Sequence, residues 1–227
     1  MNHFWSEVEK ILESKSLLKH PFYQAWTRGS LTRDDLAYYA RQYFQQESRF
    51  PRYVSAVHSN CPELKTRQML LENMADEESG PENHPELWLR FAAAVGAGRE
   101  SVMNADANFA TKRCVETFER LCRGRWQTGL AALYAYETQQ PAVAKTKIDG
   151  LKSKYGLDSK DALGFFQVHE AVDVWHAQSE KKVLTDEMRR NPSLGEAVKA
   201  SVSDACDALN TLLDGVCEAR GIACGVQ

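Results

Sequence analysis

The sequence predicts an all-α protein, a bundle of about seven or more kinked helices, from three observations. Apolar residues recur at helical spacing through almost every segment. Proline, glycine and capping residues fall between these segments, and no run alternates apolar and polar residues long enough to compete as a strand. The 227 residues suit a single domain, 1–227, with a substantial core. Hydrophobic and charged contents of 43% and 26% are those of an ordinary globular protein, and a net charge of −3 argues against nucleic-acid binding. No run approaches the roughly 18 apolar residues of a membrane span.

Taken in order, Met1 to Leu18 mixes Phe4, Val8, Ile11 and Leu12 with Glu7, Glu9, Lys10 and Glu13, which makes an amphipathic helix and not a signal peptide. His20-Pro21-Phe22-Tyr23-Gln24-Ala25-Trp26 follows, closed by Gly29. Thr32 with Asp35 is a capping box that opens a helix to about Ser48, with Tyr39 and Tyr43 on one face. Pro51 interrupts, and helix resumes through Tyr53, Val57 and His58 to Cys61-Pro62. Pro62 starts the next, with Leu64, Met69, Leu70 and Met74 as its buried set. It ends in Asp76-Glu77-Glu78, broken by Gly80-Pro81. His84 takes the N-cap position and Pro85 the first helical one, ahead of Leu87, Trp88, Phe91 and Val95.

Phe109 to Cys122 is one more amphipathic helix. Trp126 to Lys154 is the longest stretch, with Leu130, Leu133, Tyr134 and Glu137 inward, and Pro141 is expected to kink it without ending it. A helix from about Ser159 to Met188 follows, and Asn191-Pro192 opens the last, through Leu209, Leu212 and Val216. The cysteines (Cys61, Cys114, Cys122, Cys206, Cys217, Cys224) form no Cys-x-x-Cys pair and read as reduced thiols, so a cytoplasmic location is expected.

The chemistry gathers at His169-Glu170-Ala171-Val172-Asp173-Val174-Trp175-His176. On a helix His169, Asp173 and His176 share a face, a ligand set suited to iron, manganese or zinc. Asp173 replaces the second histidine of the zinc-protease pattern, and a polar stripe without metal is the plain alternative. A helical scaffold needs further ligands from facing helices. Glu137, preceded by Ala131-Ala132-Leu133-Tyr134-Ala135-Tyr136, is the best candidate, because a buried carboxylate must be paired, hydrogen-bonded or metal-bound. At most one of Asp76, Glu77 and Glu78 faces inward, and spacing does not choose which.

Three blocks in order carry a resemblance: Asp76-Glu77-Glu78-Ser79-Gly80 with Asn83-His84, then Tyr134-Ala135-Tyr136-Glu137, then His-Glu-x-x-Asp-x-x-His. With His20-Pro21-Phe22-Tyr23, Tyr39-Ala40, Leu70-Leu71-Glu72-Asn73 and Lys147-Ile148-x-Gly150-Leu151, the chain resembles the haem-oxygenase-like dimetal oxidases. It is most similar to the family named after the chlamydial protein associating with death domains, in the superfamily of the thiaminase-like and pyrroloquinoline-quinone-synthase-like proteins. The resemblance implies Glu77, His84, Glu137, His169, Asp173 and His176 as ligands of two transition-metal ions, iron with possibly one manganese. The sequence departs from the pattern at Ser79 to Glu82 and after Gly215, where no ligand stands.

The resemblance also implies synthesis of p-aminobenzoate for folate, with molecular oxygen as co-substrate and an external reductant. The ring would come from Tyr23 of the protein itself and the amino nitrogen from its own Lys147, with Tyr39 and Tyr43 lining the site, so that one chain turns over once. Taken alone, Tyr23, Tyr39 and Tyr43 read as core packing, and Lys147, among Lys145, Lys152 and Lys154, as a solvated lysine. A homodimer is implied as well. Alternatives are a cofactorless or thiaminase-like enzyme of the same fold, or a protein-interaction module with a death-domain partner, for which no motif is present.

Overall fold

The computed structural model describes residues 1–223, the side chain of Ala171 excepted, and Cys224 lies outside them. The described residues contain no strand. The helices are α1 (Asn2–Ser14), α2 (Pro21–Arg28), α3 (Arg33–Glu47), α4 (Phe50–Asn60), α5 (Leu64–Glu78) and α6 (His84–Ala94). They continue with α7 (Arg99–Met103), α8 (Phe109–Arg123), α9 (Trp126–Glu137), α10 (Gln140–Tyr155), α11 (Lys160–Arg190) and α12 (Gly195–Arg220). Short 3-10 turns, Leu17–Lys19 and Pro192–Leu194, precede α2 and α12. No helix is long and apolar enough to cross a membrane.

Local chemistry accounts for the boundaries. The Thr32–Asp35 capping box forms: the Asp35 N–H donates to Thr32 Oγ1 at 3.2 Å and the Thr32 N–H to Asp35 Oδ2 at 2.8 Å. At α6 the expected cap shifts by one residue. Asn83 is the N-cap, its side chain accepting from the Glu86 N–H, and His84 is the first helical residue. α5 likewise starts at Leu64, beyond Pro62, and Leu64 is exposed while Leu70 is buried. The short α7 has no counterpart among the expected elements.

Pro141 does not kink a continuous helix. The chain leaves α9 at Glu137 and starts α10 at Gln140, with Pro141 in its first turn. The physical reason is steric: a proline ring at 141 clashes with the carbonyl four residues earlier, that of Glu137, while its missing N–H costs nothing in a first turn. The longest helix is therefore α11, with 31 residues. This break leaves Glu137 at the corner where α9 stops and sends α10 off on its own line.

α9 lies at the centre, buried without interruption from Gly129 to Glu137, as an apolar helix with no solvated face should be. α8, α11 and α12 pack around it, and α11 also lies against α6 and α10. Gly150 sets the approach of α10 to α2. A Cβ there would stand 2.5 Å from Trp26 Nε1, so only glycine lets the two helices bring Lys147 and Tyr23 into one cluster. Five cysteines of the described residues are buried, and none of them forms a disulfide.

Candidate metal centre and aromatic cage

Five helix segments aim polar side chains into an otherwise apolar centre. α3 contributes Glu47 from its last turn, α5 Glu77, α6 His84, α9 Glu137, and α11 its row of His169, Asp173 and His176. Of the acidic triplet only Glu77 is buried, while Asp76 and Glu78 are exposed. The loop from Glu77 to His84 turns at Gly80, whose φ of +77° is left-handed and favours glycine. The Asn83 side-chain amide donates to the Gly80 carbonyl at 3.0 Å, tying that turn to the start of α6.

The side chains form two adjacent groups, Glu47–His84–His169 and Glu137–Asp173–His176. In each, one ligand-type atom from every residue lies within 4.8 Å of the others. Glu77 stands beside the first, its Oε2 2.8 Å from His84 Nδ1 but out of line for a hydrogen bond. His169 Nδ1–H donates to the Phe165 carbonyl at 2.8 Å, which leaves Nε2 as the free lone pair, 3.9 Å from Glu47 Oε1. His176 uses Nε2 on Asp76 Oδ2 at 3.1 Å and turns Nδ1 inward, 3.4 Å from Glu137 Oε1 and 4.0 Å from Asp173 Oδ1. The Asn73 amide holds Glu137 Oε1 at 2.8 Å. Such outer contacts fix tautomer and direction in metal sites.

The electrostatics call for cations. Burial and then the neighbouring Glu137, Glu77 and Glu47 push the Asp173 carboxyl well above the usual range. Burial and then Glu77 push Glu47 up to about 7. Burial and then His84 keep His169 well below the usual histidine value, hence neutral and fit to coordinate. At His84 burial acts downward, and Glu77 more than reverses it. Glu77 Oε2, His84 Nδ1, Glu137 Oε2, Asp173 Oδ2 and His176 Nδ1 are all buried without a hydrogen-bond partner. Buried like charges and orphaned acceptors converging on two small volumes fit a pair of metal ions. Among the described residues no arginine pairs with Glu137, the simplest alternative for a buried carboxylate.

Beside this centre sits a lysine in an aromatic cage. Lys147 is 1% exposed, and its Nζ donates to the Tyr39 hydroxyl at 2.6 Å. The same nitrogen lies 5.5 Å from the ring centroid of Tyr23, 5.1 Å from Tyr39, 5.0 Å from Tyr43, 5.5 Å from Trp88 and 5.0 Å from Phe166. Burial pushes its pKa down to about 7, against the opposing pull of Glu47. Burial raises the phenols of Tyr23, Tyr39 and Tyr43, so they stay neutral. The cage connects to the metal side through hydroxyls: Tyr43 donates to Tyr136 at 3.1 Å, and Tyr136 to Glu47 Oε2 at 2.8 Å.

Thus all ten residues singled out from the sequence are buried in this centre and cage. Two acidic residues were missed. Glu47 follows Gln45-Gln46 at a helix end and looks solvated, yet it stands four residues after Tyr43 and eight after Tyr39 on the same face. Glu180 continues the α11 spacing one turn past His176.

A helical bundle closed over two adjacent carboxylate–histidine groups that could hold metal ions, with an aromatic cage alongside, defines a protein of haem-oxygenase-like fold with a candidate metal centre. The chain belongs to the family described as iron-containing redox enzyme, which it matches over residues 37–210. It is 43% identical to the 4-aminobenzoate synthase of Nitrosomonas europaea, over 96% of this chain and 92% of that protein. With the 4-aminobenzoate synthase of Chlamydia muridarum it shares 38% identity, over 95% of this chain and 91% of the relative. A CADD-like protein from Nostoc punctiforme superposes with a TM-score of 0.76 at 18% identity, covering 96% of this chain and 97% of that one, which supports the fold.

Proposed function

We propose that this chain is a dimetal, oxygen-dependent synthase of 4-aminobenzoate that builds the product from its own Tyr23 and Lys147. The observation that carries the reading is the Lys147 amine 5.5 Å from the centre of the Tyr23 ring, inside a closed cage next to the metal-type groups. A tyrosine side chain is a ring with one carbon attached and an oxygen para to it. Converting it to 4-aminobenzoate requires breaking the Cα–Cβ bond, oxidising Cβ to a carboxylate, and replacing the phenol oxygen by nitrogen. Tethering both reactants to one fold supplies the proximity.

Glu77, His84, Glu137, His169, Asp173 and His176, with Glu47, would hold two metal ions, iron with possibly one manganese. When bound, this pair would supply the oxidising power of molecular oxygen, with electrons from an external reductant. The chain's own residues do the rest. His169 and His176 are held in single tautomers by the Phe165 carbonyl and Asp76. The cage excludes water from the ring and the amine, and the Tyr39 hydroxyl accepts the Lys147 N–H and fixes the direction of its nitrogen. Because Lys147 has its pKa near 7, a large share of the amine is neutral and nucleophilic at physiological pH. Tyr43 and Tyr136 place a chain of hydroxyls between cage and Glu47, along which a proton can move.

Expression of the chain is expected to restore growth of a bacterium that requires 4-aminobenzoate, and Glu137→Ala to abolish the rescue. Rescue that persists in the variant would separate the activity from the metal-type groups.

A further inference from the structure

α11 carries its inward side chains at alternating spacings of three and four, and the row does not end at His176. Phe166, His169, Asp173, His176 and Glu180 follow one another on one face, ahead of the buried Leu184. In the core of a helical bundle, position 180 is one for leucine or valine. Glu180 instead is 0% exposed, and neither of its carboxylate oxygens has a hydrogen-bond partner. It joins no salt bridge among the described residues. It lies one turn of α11 beyond His176 and outside the 4.8 Å group, with the Glu137 and Asp173 carboxyls and the Cys122 thiol of α8 acting on its charge. Three buried carboxyls acting on one another's charge repel when ionised, and none of these neighbours brings a positive charge. A cation between them would compensate all three at once, and the orphaned oxygens of Glu137, Asp173 and Glu180 would become its donors.

We propose that Glu180 is a further ligand of the metal ion in the Glu137–Asp173–His176 group, closing it on the side away from the aromatic cage. The inference rests on the dimetal reading given above. Its placement follows from the helix: Phe166 touches the cage, and Glu180 comes fourteen residues later, about 21 Å along the axis at the usual rise. The second group would then be three carboxylates and one imidazole, harder than the Glu47–His84–His169 group with its two imidazoles.

The test is a titration of metal-stripped protein with Co²⁺, followed by visible absorption and equilibrium dialysis, with the melting temperature of the metal-free form recorded. Wild type should take up two ions. Glu180→Gln has the shape and neutrality of a protonated glutamate but cannot ionise to bind a cation. It should melt no lower than wild type when metal-free, keep one ion, and bind the other at least about tenfold more weakly. Glu180→Asp, which keeps a shorter carboxylate, should fall between, and decides the matter if the glutamine variant does not fold. Two ions bound by Glu180→Gln with wild-type affinity would overturn the proposal, as expected if Glu180 merely carries a proton. Loss of both ions from a folded variant would overturn it too. Wild type that binds no metal at all would defeat the dimetal reading itself, and this assignment with it.

Discussion

His169→Ala and Asp173→Ala are each expected to lose at least one of about two bound metal ions and all reactivity towards oxygen. The count of two follows from the paired ligand groups of a carboxylate bundle. His169 is the one imidazole whose tautomer leaves Nε2 free beside Glu47, and Asp173 is a buried carboxyl of the second group on which Glu137, Glu77 and Glu47 all act. Losing either removes a donor that no neighbour can replace, because the helices holding the others are fixed by core packing. The loss also has a thermodynamic signature. A ligand at a hundredfold excess over its Kd stabilises the native state by about 2.7 kcal/mol. Added metal should therefore raise the melting temperature of wild type by more than that of either variant. Metal retained at full stoichiometry in both variants would contradict the ligand assignment.

Lys147→Arg should bind metals as wild type does and make no 4-aminobenzoate. Arginine keeps the positive charge and most of the length, but its guanidinium stays protonated and cannot donate a simple amine. The lysine it replaces is a group whose ordinary value of 10.5 is brought to about 7 by burial. The sign follows directly. Below pH 7 the amine is protonated and unreactive, and above it neutral, so wild-type product formation should climb as pH rises through about 7. A flat profile between pH 6 and 8, or an active arginine variant, would remove Lys147 from the chemistry.

Much of the fold was legible because helix signals are local. The capping box at Thr32, the Gly80-Pro81 break and the row on α11 need only neighbours in sequence. Pro141 misled because strong helix formers follow it, and the steric conflict with the Glu137 carbonyl decides the outcome. The site was legible in part for the same reason. Spacing alone exposes His169, Asp173 and His176, and the apolar approach exposes Glu137. Glu77 could be separated from Asp76 and Glu78 only through the family resemblance, since burial depends on which face α5 turns to α6. Lys147 makes the limit plain: Lys145, Lys152 and Lys154 are exposed while Lys147 is buried, and that difference lies in the packing of α10 on α2 and α11. Glu47 hides in a polar helix end that only the tertiary fold carries inward.

If the protein is both enzyme and substrate, the nitrogen of its product comes from its own lysine. Protein produced with lysine labelled by ¹⁵N at the side chain, loaded with metal and exposed to oxygen and reductant, should release 4-aminobenzoate carrying the label. It should yield no more than about one product per chain, and peptide mapping should find both Tyr23 and Lys147 altered. Unlabelled product formed over many turnovers, with both side chains intact, would instead identify a catalyst acting on a free substrate.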